Sequence, residues 1–453
     1  MHIFTRKTVA REVRASPQGE ATTRVGTESS WLVLTLVGLM AVEAVRDGGF
    51  WKPDAVVVAS VSVVFIVVQL VQRHHDRWSW MVVASFVALA LWWYVRAATV
   101  GPVSSFLPLG ASVLGFCAAF VTVRNLTRLQ KELAGLFVGV VGAAGALVGF
   151  AGLTWRWYPM AMPAQHLWRL STTLTYADAA GVFLAMGLLM ALAGGPRPWV
   201  ARVAVCLCAG GLIATQSRGS FLAFVCACAL VPWRQYLVFL VPLIAGTVLG
   251  VVAVATSPLQ GADPWLGIAV VALVAVSMVW VPSTVSMTFA RRQIVVVVVV
   301  MLAAMIATGL LLHSEIGLRA LAPSNNDRVV EWSAAIHQFE SAPILGVGPD
   351  QLLHFHAVDG TVAHFAHNEY LQIAADGGLV GVALLALAFT ALLRVVRRVD
   401  TLSSCAVGAL VCLAVAGAFD FDWHLTFLGL LGGWAAGLAG LAATDIPVEQ
   451  KVL

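Results

Sequence analysis

The chain has 453 residues, of which 60% are hydrophobic and 11% are charged. Soluble domains carry about 25% charged residues, so this composition and a mean hydropathy of +0.89 exclude an ordinary soluble domain. The net charge of +4 comes mostly from a basic N-terminal tail and short loops, which membrane topology explains without nucleic-acid binding. The sequence therefore predicts a polytopic membrane protein.

Apolar stretches follow one another along most of the chain. A helix that crosses a bilayer needs about 18 or more apolar residues, although a shorter one can cross where the bilayer thins. We therefore predict an all-α membrane protein with about fourteen transmembrane helices, of which those at 31–45 and 219–231 are the shortest. The predicted spans are 31–45, 54–71, 78–95, 103–123, 133–155, 177–194, 199–215, 219–231, 236–256, 265–283, 293–312, 378–394, 402–419 and 424–443.

Lys and Arg are shared unevenly between the two sides of this predicted bundle. With the N-terminus in the cytoplasm, 19 of the 27 basic residues fall on the cytoplasmic side, as the positive-inside rule requires. Both termini are then cytoplasmic. The predicted organisation is a disordered tail at 1–30, a bundle of about eleven spans at 31–312, a large outside loop at 313–377, three spans at 378–443 and a tail at 444–453.

The outside loop at 313–377 contains helix signals. Asn325, Asn326 and Asp327 are suited to cap a helix, and Pro343 is suited to end it. Between them, apolar residues recur at spacings of three and four, namely Val329, Trp332, Ile336 and Phe339. We expect an amphipathic helix at 327–341 that lies on the membrane or on the bundle, and a second helix from near His367 to 376–378.

Three polar residues outside the membrane are candidates for chemistry. Arg218 lies at the outer boundary between the seventh and eighth spans, Arg328 begins the amphipathic helix, and His367 closes the long polar stretch. Ionisable groups at the edge of a span suggest a functional site, although an arginine there can also extend to lipid headgroups. The position of Arg218 on the face poor in cations favours function.

Possible metal ligands have simpler explanations. His354, His356, His364 and His367 form a cluster, but their spacing matches no defined zinc motif. Asp420-Phe421-Asp422 resembles the DxD pattern of metal-dependent glycosyltransferases, yet a polar cap between the last two spans explains it better. All seven cysteines lie in apolar segments, which indicates packing and not disulfides. Glu43 lies inside the first span and needs a partner that the sequence does not identify.

Four segments, in order, resemble the O-antigen ligase and polymerase superfamily of bacterial membrane glycosyltransferases. The large outside loop and the closing 376–381 match as well, so the resemblance covers roughly residues 165–395. The segments are Arg169 to Asp178, Thr215 to Ser220, Asp327-Arg328 with Trp332, and Pro343 to Gly348 continuing to His367, Asn368, Glu369, Tyr370 and Gln372.

The resemblance implies transfer of a glycan from undecaprenyl diphosphate to an acceptor hydroxyl outside the bacterial cytoplasmic membrane, without metal or cofactor. It implies that Arg218 and Arg328 bind the diphosphate and that His367 is the general base. Arg169, Asp178, Asn368 and Tyr370 are further substrate-binding candidates. Two features depart from the family pattern. Asp178 stands where relatives often have Asn, and four predicted spans, instead of the usual two, separate Arg218 from the large loop.

The chemistry of these residue types points the same way. A guanidinium stays charged and binds phosphate oxygens through two donors, and an imidazole with a pKa of about 6.5 is suited to remove a hydroxyl proton. A single displacement would invert the anomeric centre. We expect Arg218, Arg328 and His367 to line one outer cavity within on the order of 10 Å, with Arg169 and Asp178 on its rim. The amphipathic helix should cover this cavity, and an opening between spans should admit the polyprenyl tail.

Two alternatives stay open at this point. A ligase and a polymerase differ only in acceptor, which the sequence does not identify, and ligase is narrowly favoured. A transporter or flippase also has many spans, but it usually places ionisable groups near the membrane midplane, whereas the candidates here cluster at one face.

Overall fold

The computed structural model describes residues 19–72, 76–164, 167–257, 326–351, 355–356, 362–363 and 365–440. This part is mostly helical, and it includes two short antiparallel hairpins. The predicted spans at 265–283 and 293–312 and the tail at 444–453 lie outside the described residues.

Fourteen α-helices are numbered here in chain order, counting the described residues only. They are α1 Gly19–Val45, α2 Lys52–Gln72, α3 Arg77–Val100, α4 Leu107–Arg124, α5 Arg128–Trp155, α6 Ala177–Leu192, α7 Pro198–Thr215, α8 Arg218–Cys228, α9 Trp233–Val238, α10 Leu240–Ala255, α11 Asn326–Ser341, α12 Glu369–Val395, α13 Thr401–Ala416 and α14 Thr426–Leu438. The hairpins are β1 Ala161–Ala164 with β2 Leu167–Leu170, and β3 Phe355–His356 with β4 Val362–Ala363.

Six of the described helices are long and apolar enough to cross a membrane. They are α2, α3, α4 with the 3-10 turn before it, α5, α7 and α12, and six shorter apolar helices accompany them. Together these helices coincide with the twelve predicted spans that fall on described residues. The total of fourteen spans stays a prediction.

Two boundaries differ from the expectation. The first helix begins at Gly19, inside the segment at 1–30 that was expected to be disordered, and residues 1–18 lie outside the described part. The predicted span at 236–256 is divided between α9 and α10, because Phe239 between them leaves helical geometry with φ −104° and ψ 17°.

The core of the bundle forms around α6, whose residues are buried on nearly every side. A helix that is apolar all round is stable only when other helices surround it. Small residues permit close approach of its neighbours, since a Cβ on Gly250 of α10 would lie 2.4 Å from the carbonyl oxygen of Gly210 in α7. By contrast, α2 leaves large apolar side chains such as Val64 and Val71 exposed, as expected for a helix facing lipid.

A break in α12 holds part of the outside loop. Gly378 has φ 62° and ψ −162°, so the helical hydrogen bonds from 379 and 380 are lost. Segment 343–348 replaces them: the amides of Leu379 and Val380 donate to its carbonyls at 2.8 and 3.3 Å. Its own amides at 347 and 348 donate to the carbonyls of 375 and 376, both at 2.9 Å. The second loop helix was expected to end at 376–378, and the structure breaks α12 there.

Candidate active site

The polar residues of the candidate site lie at one end of the bundle. Helices α6, α8 and α14 begin at this end, whereas α7 and α13 finish at it. The start of α12 and the helix α11 complete the group. Basic residues are concentrated at the other end, where Arg128 pairs with Asp400 before α13 and Lys131 donates to the carbonyl of Gly440 at 3.2 Å. The candidate site therefore lies at the end opposite these basic residues.

Arg328 is the central cation of the site. Its guanidinium lies 3.3 Å from a carboxylate oxygen of Asp420 and 3.9 Å from one of Asp178. It also donates to the carbonyl of Phe419 and, at 3.4 Å, to the carbonyl of His367. Two of the three predicted principal residues, Arg328 and His367, are therefore in contact.

His367 is fixed from several directions. Asn368 caps α12, because its Oδ1 accepts from the amides of Tyr370 and Leu371 at 3.1 and 3.0 Å. The Nδ1 of His367 lies 2.8 Å from Oε2 of the buried Glu331. A histidine held through Nδ1 by a carboxylate presents Nε2 as the free ring nitrogen.

The backbone at this end is unusual. His367 has φ 45°, and Thr172, Thr175 and Gln216 have φ between 53° and 59°. These values lie in the left-handed region, which is uncommon for side chains other than glycine and exceptional for β-branched threonine. Strained backbone of this kind concentrates at functional sites.

Arg169 and Asp178 form a second polar group beside the first. They make an ion pair at 2.9 Å, and the Nε of Arg169 donates to the carbonyl of Thr215 at 2.8 Å. The hydroxyl of Ser220 donates to the backbone carbonyl of Asp178 at 2.8 Å, so the start of α8 is attached to the start of α6. Since Asp178 also approaches Arg328, the two groups are continuous.

Arg218 is the first residue of α8 and its side chain is exposed. The preceding Ser217 caps the helix through its hydroxyl, which accepts from the amide of Ser220 at 3.3 Å. A Cβ on Gly219 would lie 2.9 Å from Cβ of Phe419, the residue whose carbonyl binds Arg328. Arg218 is thus next to the site in the fold. The predicted distance between its guanidinium and His367 stays a prediction.

Asn368 and Tyr370 have structural partners. Besides capping α12, Asn368 donates through Nδ2 to the carbonyl of Ala418 at 2.9 Å. The hydroxyl of Tyr370 donates to the carbonyl of Ala414 at 2.7 Å. These bonds join the start of α12 to the end of α13. Substrate binding by either residue stays a prediction.

Asp420 and the aromatic residues around it were not predicted as site residues. The hydroxyl of Tyr176 donates to Asp420 at 2.8 Å. The ring of Phe421 stacks between those of Tyr176 and Phe365, at centroid distances of 5.2 and 4.7 Å. The expected polar cap between the last two spans is therefore also the partner of Arg328. Asp420 lies 92 residues from Arg328 in the sequence, so no local pattern relates them.

Burial and neighbouring carboxylates determine the charge states outside the spans. Burial by itself would lower the pKa of Arg328, but Asp420, Tyr176 and Asp178 raise it above its usual value, so the guanidinium stays charged. Burial, then the charge of Asp420, raises the pKa of Asp422 well above its usual range. Both carboxylate oxygens of Asp422 are buried and have no hydrogen-bond partner in the described structure.

Glu331 is the other residue that the sequence did not indicate. It stands three positions after Arg328 in α11, a spacing that places both side chains on one face of a helix.

Glu43, whose partner the sequence did not identify, accepts from the hydroxyl of Thr426 at 2.6 Å. Among the described residues, no three His, Cys, Asp or Glu side chains come together as metal ligands. His354 and His364 lie outside the described residues.

Residues 260–386 match the protein family described as O-antigen ligase. That match confirms the resemblance to the O-antigen ligase superfamily. The matched range includes Arg328, Glu331 and His367, and its part before residue 326 lies outside the described structure. No curated protein matches the chain. The family match and the apolar helices support a membrane enzyme similar to O-antigen ligases and polymerases.

Proposed function

We propose that the protein transfers a glycan from undecaprenyl diphosphate to an acceptor hydroxyl on the outer side of the bacterial cytoplasmic membrane, as an O-antigen ligase does. The observation that carries this proposal is the contact between the guanidinium of Arg328 and the carbonyl of His367. A cation suited to a departing phosphate and a base suited to an incoming hydroxyl are therefore neighbours. The acceptor is a glycan, lipid or protein.

The reaction is a single displacement. Nε2 of His367 takes the proton of the acceptor hydroxyl while the acceptor oxygen forms a bond to the anomeric carbon of the donor. The bond from that carbon to the diphosphate oxygen breaks, and undecaprenyl diphosphate leaves with the electron pair. The anomeric configuration is inverted. Glu331 stabilises the imidazolium that forms, because its carboxylate lies 2.8 Å from Nδ1 of the ring.

The arginines replace a metal ion in this scheme. Arg328 stays charged while half-buried among carboxylates, and Arg218 is exposed at the start of α8. A charge-assisted hydrogen bond contributes about 1.5–3 kcal/mol, so two guanidinium groups can offset much of the charge that develops on the leaving diphosphate. We propose that no divalent cation is required.

The charge distribution supports a site on the outer side. The site lies at the end opposite the basic cluster around Arg128 and Lys131, and basic loops are retained in the cytoplasm. The ion pairs of the site also lie where helices begin and end, and not halfway along them, which favours an enzyme over a transporter.

The experiment is glycan transfer by the purified protein in proteoliposomes that contain an undecaprenyl-diphosphate-linked glycan. Arg218→Lys and His367→Ala should each lose most activity, whereas His337→Ala, on the exposed face of α11, should not. Donor binding should survive in His367→Ala because the base acts on the acceptor. Normal transfer by Arg218→Lys would contradict its phosphate role, and normal transfer by His367→Ala would contradict the catalytic assignment.

Three further readouts separate the alternatives. A gel that resolves acceptor-linked glycan from lengthened lipid-linked glycan distinguishes a ligase from a polymerase. Movement of the donor across the bilayer without a new glycosidic bond would instead indicate a flippase. Chelator should leave transfer unchanged, and loss of activity that added metal restores would direct attention to Asp420 and Asp422.

A further inference from the structure

The helix α11 buries a face other than its apolar stripe. Glu331, Ala334, Ala335 and Gln338 are buried, and Ala335 packs with alanines at 366 and 375. The predicted apolar stripe of Val329, Trp332, Ile336 and Phe339 lies elsewhere around the helix. Val329 is 61% exposed and Ile336 is 45% exposed, whereas Trp332 and Phe339 are half-buried.

The exposed apolar surface continues past the end of α11. Ile344 is 63% exposed and Leu345 is 48% exposed. The segment that carries them is hydrogen-bonded to α12 at Leu379 and Val380, and Leu379 is itself 55% exposed. Since α12 is long and apolar enough to cross a membrane, we expect its exposed Leu379 to face lipid. The exposed apolar residues that follow α11 are therefore attached to a surface that we expect lipid to cover.

The remaining side of α11 is mostly polar, although Val330 at its edge is 51% exposed. Ser333, His337 and Glu340 are exposed, and His337 lies 3.1 Å from Glu340. At 100° per residue, these positions fall beyond the apolar stripe on the side away from the buried face. One helix thus has a side buried on α12, an apolar side and a polar side. Such a pattern is typical of a helix that lies in the membrane interface.

We propose that the exposed part of the stripe, Val329 and Ile336, lies in the membrane interface and contacts lipid acyl chains, together with Ile344 and Leu345. The helix is then attached to the bundle by one side and to the bilayer by another. This inference does not depend on glycan transfer. Its consequence is that the bilayer helps to position the helix that carries Arg328 and Glu331.

The test uses the full chain with a p-benzoylphenylalanine at Ile336 or Ile344, in vesicles of phosphatidylethanolamine and phosphatidylglycerol. The matched control carries the same group at His337, one residue further around the helix. Leu379 provides a positive control on α12. After irradiation, mass spectrometry of the peptides should find phospholipid adducts at 336, 344 and 379, and at least fivefold fewer at 337.

Three outcomes would overturn the proposal. The first is equal labelling at 336 and 337, which would mean that the stripe is not the lipid-facing side. The second is no lipid adduct at 336 or 344 while 379 is labelled. The third is a crosslink from 336 to a peptide within 258–325, because that part of the chain would then cover the stripe.

Discussion

Replacing Glu331 should slow the chemical step without weakening donor binding. Its carboxylate is buried and lies 2.8 Å from Nδ1 of His367. A hydrogen bond to a charged partner contributes about 1.5–3 kcal/mol, and each 1.36 kcal/mol is a factor of ten in rate. We therefore expect kcat to fall by about 10-fold to 150-fold when the imidazolium that forms during transfer loses this partner.

Two variants at this position separate the loss of the negative charge from the loss of the hydrogen-bond acceptor. Glu331→Gln keeps an oxygen that can accept from Nδ1 but removes the negative charge, so its kcat should lie near the smaller loss. Glu331→Ala removes the acceptor as well, and should lie near the larger loss. The KM for the lipid-linked donor should stay within about twofold in both, because Arg328, the proposed phosphate ligand, is kept.

The chain contains its own control on the same helix. His337 and Glu340 form a similar pair at 3.1 Å, but both side chains are exposed. Exposed ion pairs contribute about 0–1 kcal/mol to stability, so Glu340→Gln should leave kcat unchanged. The assay is initial-rate transfer in proteoliposomes over a range of donor concentrations. If Glu331→Ala retained the kcat of Glu340→Gln, Glu331 would not assist His367.

Three further predictions follow from the contacts of the site. Asp420→Asn should lower the KM for the donor by about tenfold in the same assay, because the diphosphate would no longer have to displace a carboxylate from the guanidinium of Arg328. A higher KM would contradict this. Gly346→Ala should destabilise the attachment of segment 343–348 to α12 by about 1–3 kcal/mol more than Gly194→Ala does. Both glycines have left-handed φ, but only an added Cβ at 346 would meet backbone, at 2.2 Å from the carbonyl oxygen of Asp376. Hydrogen exchange of residues 326–348 measures the difference. The pKa of Asp422 is raised in the folded protein, so the free energy of unfolding should fall as pH rises above the pKa of about 4 that the residue has in the unfolded chain. Thermal unfolding over a range of pH measures this fall, which should be smaller in Asp422→Asn.

The helices could be predicted because their signal is local. A run of apolar side chains identifies a buried or lipid-facing helix whatever surrounds it, and twelve predicted spans coincide with described helices. The break in α12 could also be predicted, since a Gly-Gly pair at 377–378 marks it. The span at 378–394 was predicted too, but the hydrogen bonds by which segment 343–348 bridges the break were not, because they join segments far apart in the sequence.

The partners in the site could not be predicted for the same reason. Arg328 and His367 were indicated by a family pattern, but each binds its carboxylate through the tertiary fold. Asp420 lies 92 residues from Arg328, and Glu331 lies 36 residues from His367. The amphipathic period of α11 was visible in the sequence, yet period alone does not reveal which side packs on protein. The structure answers that question by burying Glu331 and exposing Ile336.

One helix connects the two halves of the proposed reaction. Arg328, the proposed ligand of the leaving diphosphate, and Glu331, which binds the proposed base His367, are three positions apart on α11. Neither can be placed correctly unless α11 is docked on α12. That docking depends on a small alanine contact at 335 and on the four backbone hydrogen bonds of segment 343–348. Displacement of this single helix would therefore remove phosphate binding and orientation of the base together. The tight glycine backbone at 346 and 378 maintains the geometry on which both depend.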